Sequence, residues 1–225
     1  LDKVKVQCDY LPLINFAMQQ NGASIIHQIS IENTTHAPLK DVQVQITTEP
    51  AFGNSVPTVI EAIPANDRVC LQTFNLTLST NYFTQLTERL SGSLKVEITS
   101  ETKAIFSQTY PIDILAYDQW DGLNVLPEML AAFITPNHAV ISPVIKRAAT
   151  ILKQWTGNPS LDEYQSRNPD RVRKQMAAVY TAITEQQIIY STIPASFEEY
   201  GQRIRLTDSV LAQKLGTCLD MALLY

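Results

Sequence analysis

The hydrophobic pattern of this chain changes period once, near Tyr117, and that change governs what the chain can fold into. Through residues 3–117 apolar and polar side chains alternate. Val4, Val6, Cys8 and Tyr10 interleave with Lys5, Gln7 and Asp9, and Val42, Val44 and Ile46 interleave with Asp41, Gln43 and Gln45. Alternation is the mark of strands with one buried face. Similar runs cover residues 24–32, 57–62, 68–78, 92–99 and 104–115. Between them lie the turn signals Asn21-Gly22, residues 33–38, Gly53-Asn54 and residues 65–67. About seven or eight short antiparallel strands at this spacing predict an all-β immunoglobulin-like or fibronectin-like sandwich. Residues 81–90 are the exception: Tyr82, Phe83, Leu86 and Leu90 recur at helical spacing and predict a helical turn between strands.

After Tyr117 the apolar residues fall three and four apart, with Pro or Asp near the starts of the runs, which predicts helices over residues 127–134, 139–155 and 169–186. In the last, Val172, Met176, Val179 and Ile183 make one stripe, and Arg171, Lys174 and Gln175 fall elsewhere. The expected organisation is a β-sandwich over 1–117, a hinge over 118–126 and a mainly helical, incomplete α+β segment over 118–225. A length of 225 residues exceeds the roughly 100–200 of one domain. With 45% hydrophobic and 17% charged residues, both parts can hold a core, and neither disorder nor a coiled coil fits.

A net charge of −5 and an isoelectric point near 5.2 argue against a dedicated nucleic-acid surface, which relies on clustered Lys and Arg. The uncharged stretch 129–145 carries Pro136, Asn137, His138 and Pro143, whereas a spanning helix needs about 20 predominantly apolar residues. The stretch reads as soluble helices. Three cysteines, Cys8, Cys70 and Cys218, are the usage of a reducing compartment and predict a cytoplasmic chain. Asn33-Thr34-Thr35 and Asn75-Leu76-Thr77 match the glycosylation pattern and read as ordinary sheet or loop sequence.

One segment carries chemistry. In Gly216-Thr217-Cys218-Leu219-Asp220 a cysteine opens an apolar helix. There the unsatisfied backbone N–H groups and the positive end of the helix dipole favour a thiolate and can stabilise an oxyanion. Cys218 is the candidate nucleophile position, with Gly216 expected to supply a tight turn. The competing reading is a small buried hydrophobe. Gln202 and Gln213 are candidate oxyanion donors set against solvated polar residues. Arg167, Arg171, Lys174, Arg203 and Arg205 are a candidate anion site set against a solvated face. His138 reads as a helix-start residue and Cys8 and Cys70 as core. No second His or Cys stands at ligand spacing, so no metal centre is expected, and no cofactor. The chain holds no Gly-x-x-x-x-Gly-Lys-(Ser/Thr), the phosphate loop of ATP binding.

The segment resembles the start of a transglutaminase-like domain of the papain-type cysteine superfamily, in which Gly-x-Cys-x-(Asp/Glu) opens the core helix. More widely, the run through Trp120, Pro127-Glu128, Thr135-Pro136-Asn137-His138, Tyr164-Gln165, Pro194-Ala195-Ser196-Phe197-Glu198, Gly201-Gln202-Arg203-Ile204-Arg205 and Gly216-Thr217-Cys218-Leu219-Asp220 resembles the N-terminal region of large bacterial superfamily-1 helicase-like proteins. Such proteins carry a domain of unknown function ahead of the motor and are suspected of roles in defence against foreign DNA. The resemblance implies a helicase-associated chain that stops just inside its second domain. A transglutaminase-type triad runs Cys, His, Asp along the chain, and no His follows Cys218.

Two functions follow. The first, favoured here, is a non-catalytic recognition or scaffold fragment that docks other domains of the same full-length protein or a protein partner, with no nucleic acid and no membrane. The second is part of a cysteine-dependent acyl-transfer or peptidase domain, active only in the intact protein. An open core helix is also expected to expose Leu219, Ala222 and Leu223, which favours association through that end.

Overall fold

A computed structural model describes residues 3–192 and 201–225. They form two compact units, the first ending at Pro127 and also taking Gly201, the second holding the remaining described residues from Glu128 to Tyr225.

The first unit is built on strands β1 (Val4–Tyr10), β2 (Leu13–Ile14), β3 (Ile26–Asn33), β4 (Leu39–Glu49), β5 (Gly53–Val56), β6 (Thr58–Ile63), β7 (Arg68–Leu71), β8 (Asn75–Leu78), β9 (Leu90–Ser100), β10 (Lys103–Ile114) and β11 (Gln119–Trp120). Two short helices interrupt them, α1 (Phe16–Gln20) and α2 (Thr80–Gln85). A five-stranded sheet runs in the order β2-β10-β9-β4-β6, a three-stranded sheet in the order β1-β3-β7, and β5 pairs with β8 alone. Antiparallel register sets Val44 opposite Ile98, Ile46 opposite Val96 and Tyr110 opposite Leu94. Alternation therefore aligns the buried residues of three adjacent strands on one face. Asn15 and Ser79 cap the helices by accepting from the Met18 and Tyr82 amides, and Phe83 of α2 meets Phe52 edge-on with centroids 6.0 Å apart.

These findings overturn the expected fold class. The chain is mixed α and β, with 31% of the described residues helical and 36% in strands spread over several small sheets, one curled as a half-barrel, and it is not an all-β immunoglobulin-like sandwich with a helical tail. The physical reason is that period two reveals which residues share a face, not which ladder a strand joins. The run 68–78 is two strands, β7 and β8, in different sheets. Gly53-Asn54, expected as a turn, is paired strand. β2 lies parallel to β10. Gln119, Trp120 and Asp121, expected in a hinge, are buried in the first unit.

A 3₁₀ turn, Pro127–Phe133, leads from the last residue of the first unit into the second, which continues with α3 (Ile141–Thr156) and α4 (Pro169–Thr184). Gly157 ends α3 in the left-handed conformation, φ 76°, with its N–H on the Lys153 carbonyl, the usual use of glycine past a helix end. Asn168 caps α4 and Pro169 occupies its first turn, where a missing N–H costs nothing. Ala148, Ala178 and Ala182 are fully buried among Val144, Ile151, Leu152, Ile183, Val210 and Leu224, and their small size lets the two helices approach. The expected α4 stripe is corrected at two places. Met176 is 50% exposed, and Gln175 is buried with its Nε2 donating to Asp162 Oδ1 at 2.5 Å.

The chain then forms β12 (Ile189–Tyr190), β13 (Gln202–Arg203), α5 (Thr207–Gln213), β14 (Leu215–Gly216) and α6 (Cys218–Leu224). β12 and β14 are parallel, with Tyr190 opposite Gly216. Among the described residues no helix is long and apolar enough to cross a membrane.

Candidate functional site

Thr217 and Asp220 fix the start of α6. The Thr217 hydroxyl accepts from the Asp220 amide at 3.2 Å and Asp220 Oδ2 accepts from the Thr217 amide at 2.8 Å, a reciprocal capping box. Such a box satisfies two of the N–H groups that a helix start leaves open. Asp220 is 1% exposed and also accepts from the Arg205 amide at 2.9 Å and from Arg205 Nη1 at 3.4 Å. Both carboxylate oxygens are thus held by the chain itself.

Cys218 is the first residue of α6 and faces solvent. The reading of it as a small buried hydrophobe is corrected: the cap turns the chain so that Thr217 and Asp220 take the interior and the residue after the cap points out. The pairing of β12 with β14 brings Tyr190 beside it. The nearby Cys218 sulfur, first by its charge and then by hydrogen bonding, raises the Tyr190 phenol above its ordinary value. His138 is exposed, and its Nδ1 accepts from the Val140 amide at 3.4 Å.

The expected tight turn at Gly216 is also corrected. A Cβ there would meet nothing closer than Met221 Sδ at 3.4 Å, and the left-handed residue of this stretch is Lys214, φ 54°. Glycine is required instead at Gly201, φ 74°, where a Cβ would lie 2.2 Å from the Trp120 carbonyl oxygen.

Gln202 is buried on β13 and Gln213 is exposed at the end of α5. Two residues of the candidate anion site are engaged within the fold. Arg171 donates to Asp162, Thr156 and the carbonyls of Asn158 and Ser160, so its guanidinium clamps the connection between α3 and α4. Arg205 is held by Asp220. The run Pro194–Glu198 lies outside the described residues. Among the described residues no group of three or more His, Cys, Asp or Glu could hold a metal ion.

A feature that the sequence reading missed lies along α3 and α4. Ile145, Leu161, Tyr164, Met176, Val179 and Tyr225 line an apolar groove of about 310 Å³. It adjoins a hollow of about 210 Å³ that shares Ile145, Val179 and Tyr225 and adds Leu223 and Leu224. Exposed Ile145, Tyr164, Met176 and Tyr225 are an apolar patch of the kind that marks an interaction surface. The signal was present in the sequence as the Met176 position of the α4 stripe.

No family model matches the chain, and no curated protein matches it. Among solved structures it is similar to a Northeast Structural Genomics Consortium target, at 15% identity over 50% of this chain and 85% of that one, with a TM-score of 0.24. It is also similar to a native alpha-2-macroglobulin from Escherichia coli spanning domain MG7 to the C-terminus, at 11% identity over 98% of this chain, with a TM-score of 0.32. The chain spans 40% of the length of that macroglobulin structure.

Proposed function

We propose that this chain is a non-catalytic recognition or scaffold module, serving a larger helicase-like protein of the kind its sequence resembles. The observation that carries this reading is the use made of the residues around Cys218. Asp220, the acidic residue of the Gly-x-Cys-x-Asp pattern, is buried and fully engaged in the helix cap and with Arg205. The neighbour of the thiol is the Tyr190 hydroxyl, a donor that cannot act as a base near neutral pH because its ordinary ionisation lies near 10. The apolar groove along α3 and α4 supplies a surface for a protein contact.

The second reading, a cysteine acyl-transfer site, draws on the exposure of Cys218 at a helix start. Labelling separates the two. With a chloroacetamide probe at pH 7, the scaffold reading expects Cys218 to react no faster than the exposed Cys70, site by site in a peptide map. Preferential modification of Cys218, lost in Cys218→Ala, together with thioester formation on an acyl donor, refutes it in favour of the acyl-transfer reading.

A further inference from the structure

We propose that the outer edge of β6 is a strand-pairing surface that takes β6 of a second copy of this chain, antiparallel, in a register centred on Ile60. β6 is the last strand of its sheet and is paired with β4 on one side. Its other side offers a row of backbone N–H and C=O groups, and an extended chain is the partner that satisfies such a row throughout. Solvent reaches both faces of the strand along this edge: Val59 is 67% exposed on one face, and Ala62 is exposed on the other. The other edges of the first unit carry the features by which natural sheets discourage pairing. β1 presents exposed Lys5 and Asp9, β7 has four residues beginning with Arg68, β5 and β8 of the two-stranded sheet have four residues each, and β2 has two. β6 has neither Lys nor Arg, and its one charge is Glu61.

The strand is complementary to itself in one register. With the two-fold axis through Ile60, each Val59 stands opposite Glu61 of the second copy, Thr58 opposite Ala62, and the half-buried Ile60 side chains meet each other. A register centred on Glu61 sets two carboxylates face to face, which is destabilising. One centred on Val59 places Pro57, which has no N–H to donate, opposite Glu61, two positions from the centre, whereas the Ile60 register meets Pro57 only at its end, opposite Ile63. Ile60 is left as the centre of symmetry, and the five-stranded sheet continues into its copy. The inference is independent of the reading of Cys218.

Sedimentation equilibrium of the full chain over a micromolar concentration series tests it, with circular dichroism to confirm that each variant folds. The expected result is a reversible step from 25.2 kDa to twice that mass. Val59→Glu, which sets like charges opposite each other twice in the dimer, weakens association by about tenfold or more. Adding Glu61→Lys to Val59→Glu restores it. A chain that stays monomeric throughout overturns the proposal. So does a dimer that Val59→Glu leaves unchanged, including one lost instead on Met176→Asp in the groove along α3 and α4.

Discussion

Cys8, on β1, carries the clearest perturbation of a single ionisable group. Burial, reinforced by the Asp9 carboxylate, raises its thiol from 9.0 to about 11, and the neighbouring Tyr110 phenol is pushed from 10.0 to about 12, chiefly by burial. Because the folded values are the higher ones, the unfolded chain releases these protons first as pH rises. The stability due to the half-buried neutral thiol is complete below about pH 9 and is lost between about 9 and 11. We expect urea midpoints, measured under reducing conditions, to decline across that window, and Cys8→Ala to decline less there. Tyr190 offers a second test at this scale. The Cys218 sulfur raises its phenol, so Cys218→Ala should lower the Tyr190 titration toward the ordinary tyrosine value near 10. The ring-carbon NMR shift of Tyr190 reports it, and an unmoved titration would show that the sulfur is not its cause.

At the scale of elements, the start of α6 is held by one buried carboxylate. Asp220→Ala removes the acceptor of the Thr217 and Arg205 amides together, and hydrogen bonds to a charged group are worth about 1.5–3 kcal/mol each. We expect a loss of about 3 kcal/mol in urea unfolding, about 1 kcal/mol for Thr217→Ala, as for a lost helix cap, and within about 0.5 kcal/mol for Cys218→Ser, since Cys218 is exposed. Equal losses for Asp220→Ala and Cys218→Ser would contradict this assignment of the carboxylate. The helices whose ends depend on local chemistry were legible in advance: α4 starts at Pro169 as expected, and α3 begins and ends within two residues of expectation. What was hidden depends on contacts distant in sequence. Period two could not separate β7 from β8, because both alternate and only their partners differ. Gln175 is buried because Asp162, thirteen residues earlier, receives its amide, and that leaves Met176 to face solvent. The site was legible as a cysteine at the start of a helix. Tyr190 was not, because its place beside Cys218 follows from the pairing of two-residue strands 26 residues apart, too short to leave a periodic signal.

For the whole molecule, each unit has its own core. The first packs Val44, Ile46, Val96 and Ile98, and the second packs Ala148, Leu152, Ala178 and Ala182. Each also holds one tryptophan, Trp120 buried in the first and Trp155, 48% exposed, in the second. The two reporters allow the units to be followed separately once the other tryptophan is replaced by phenylalanine. Leu152 and Ile98 are both fully buried, and replacing either with Ala costs about 2–5 kcal/mol through lost apolar contact and the cavity left behind. If each core sustains its own unit, Leu152→Ala lowers the denaturant midpoint reported by Trp155 and leaves that of Trp120 in place, and Ile98→Ala does the reverse. A shift of both reporters by the same amount with either substitution would show that the two cores unfold as one cooperative body. The scaffold reading fits the separate outcome, since a recognition surface on α3 and α4 could then be altered without loss of the sheets of the first unit.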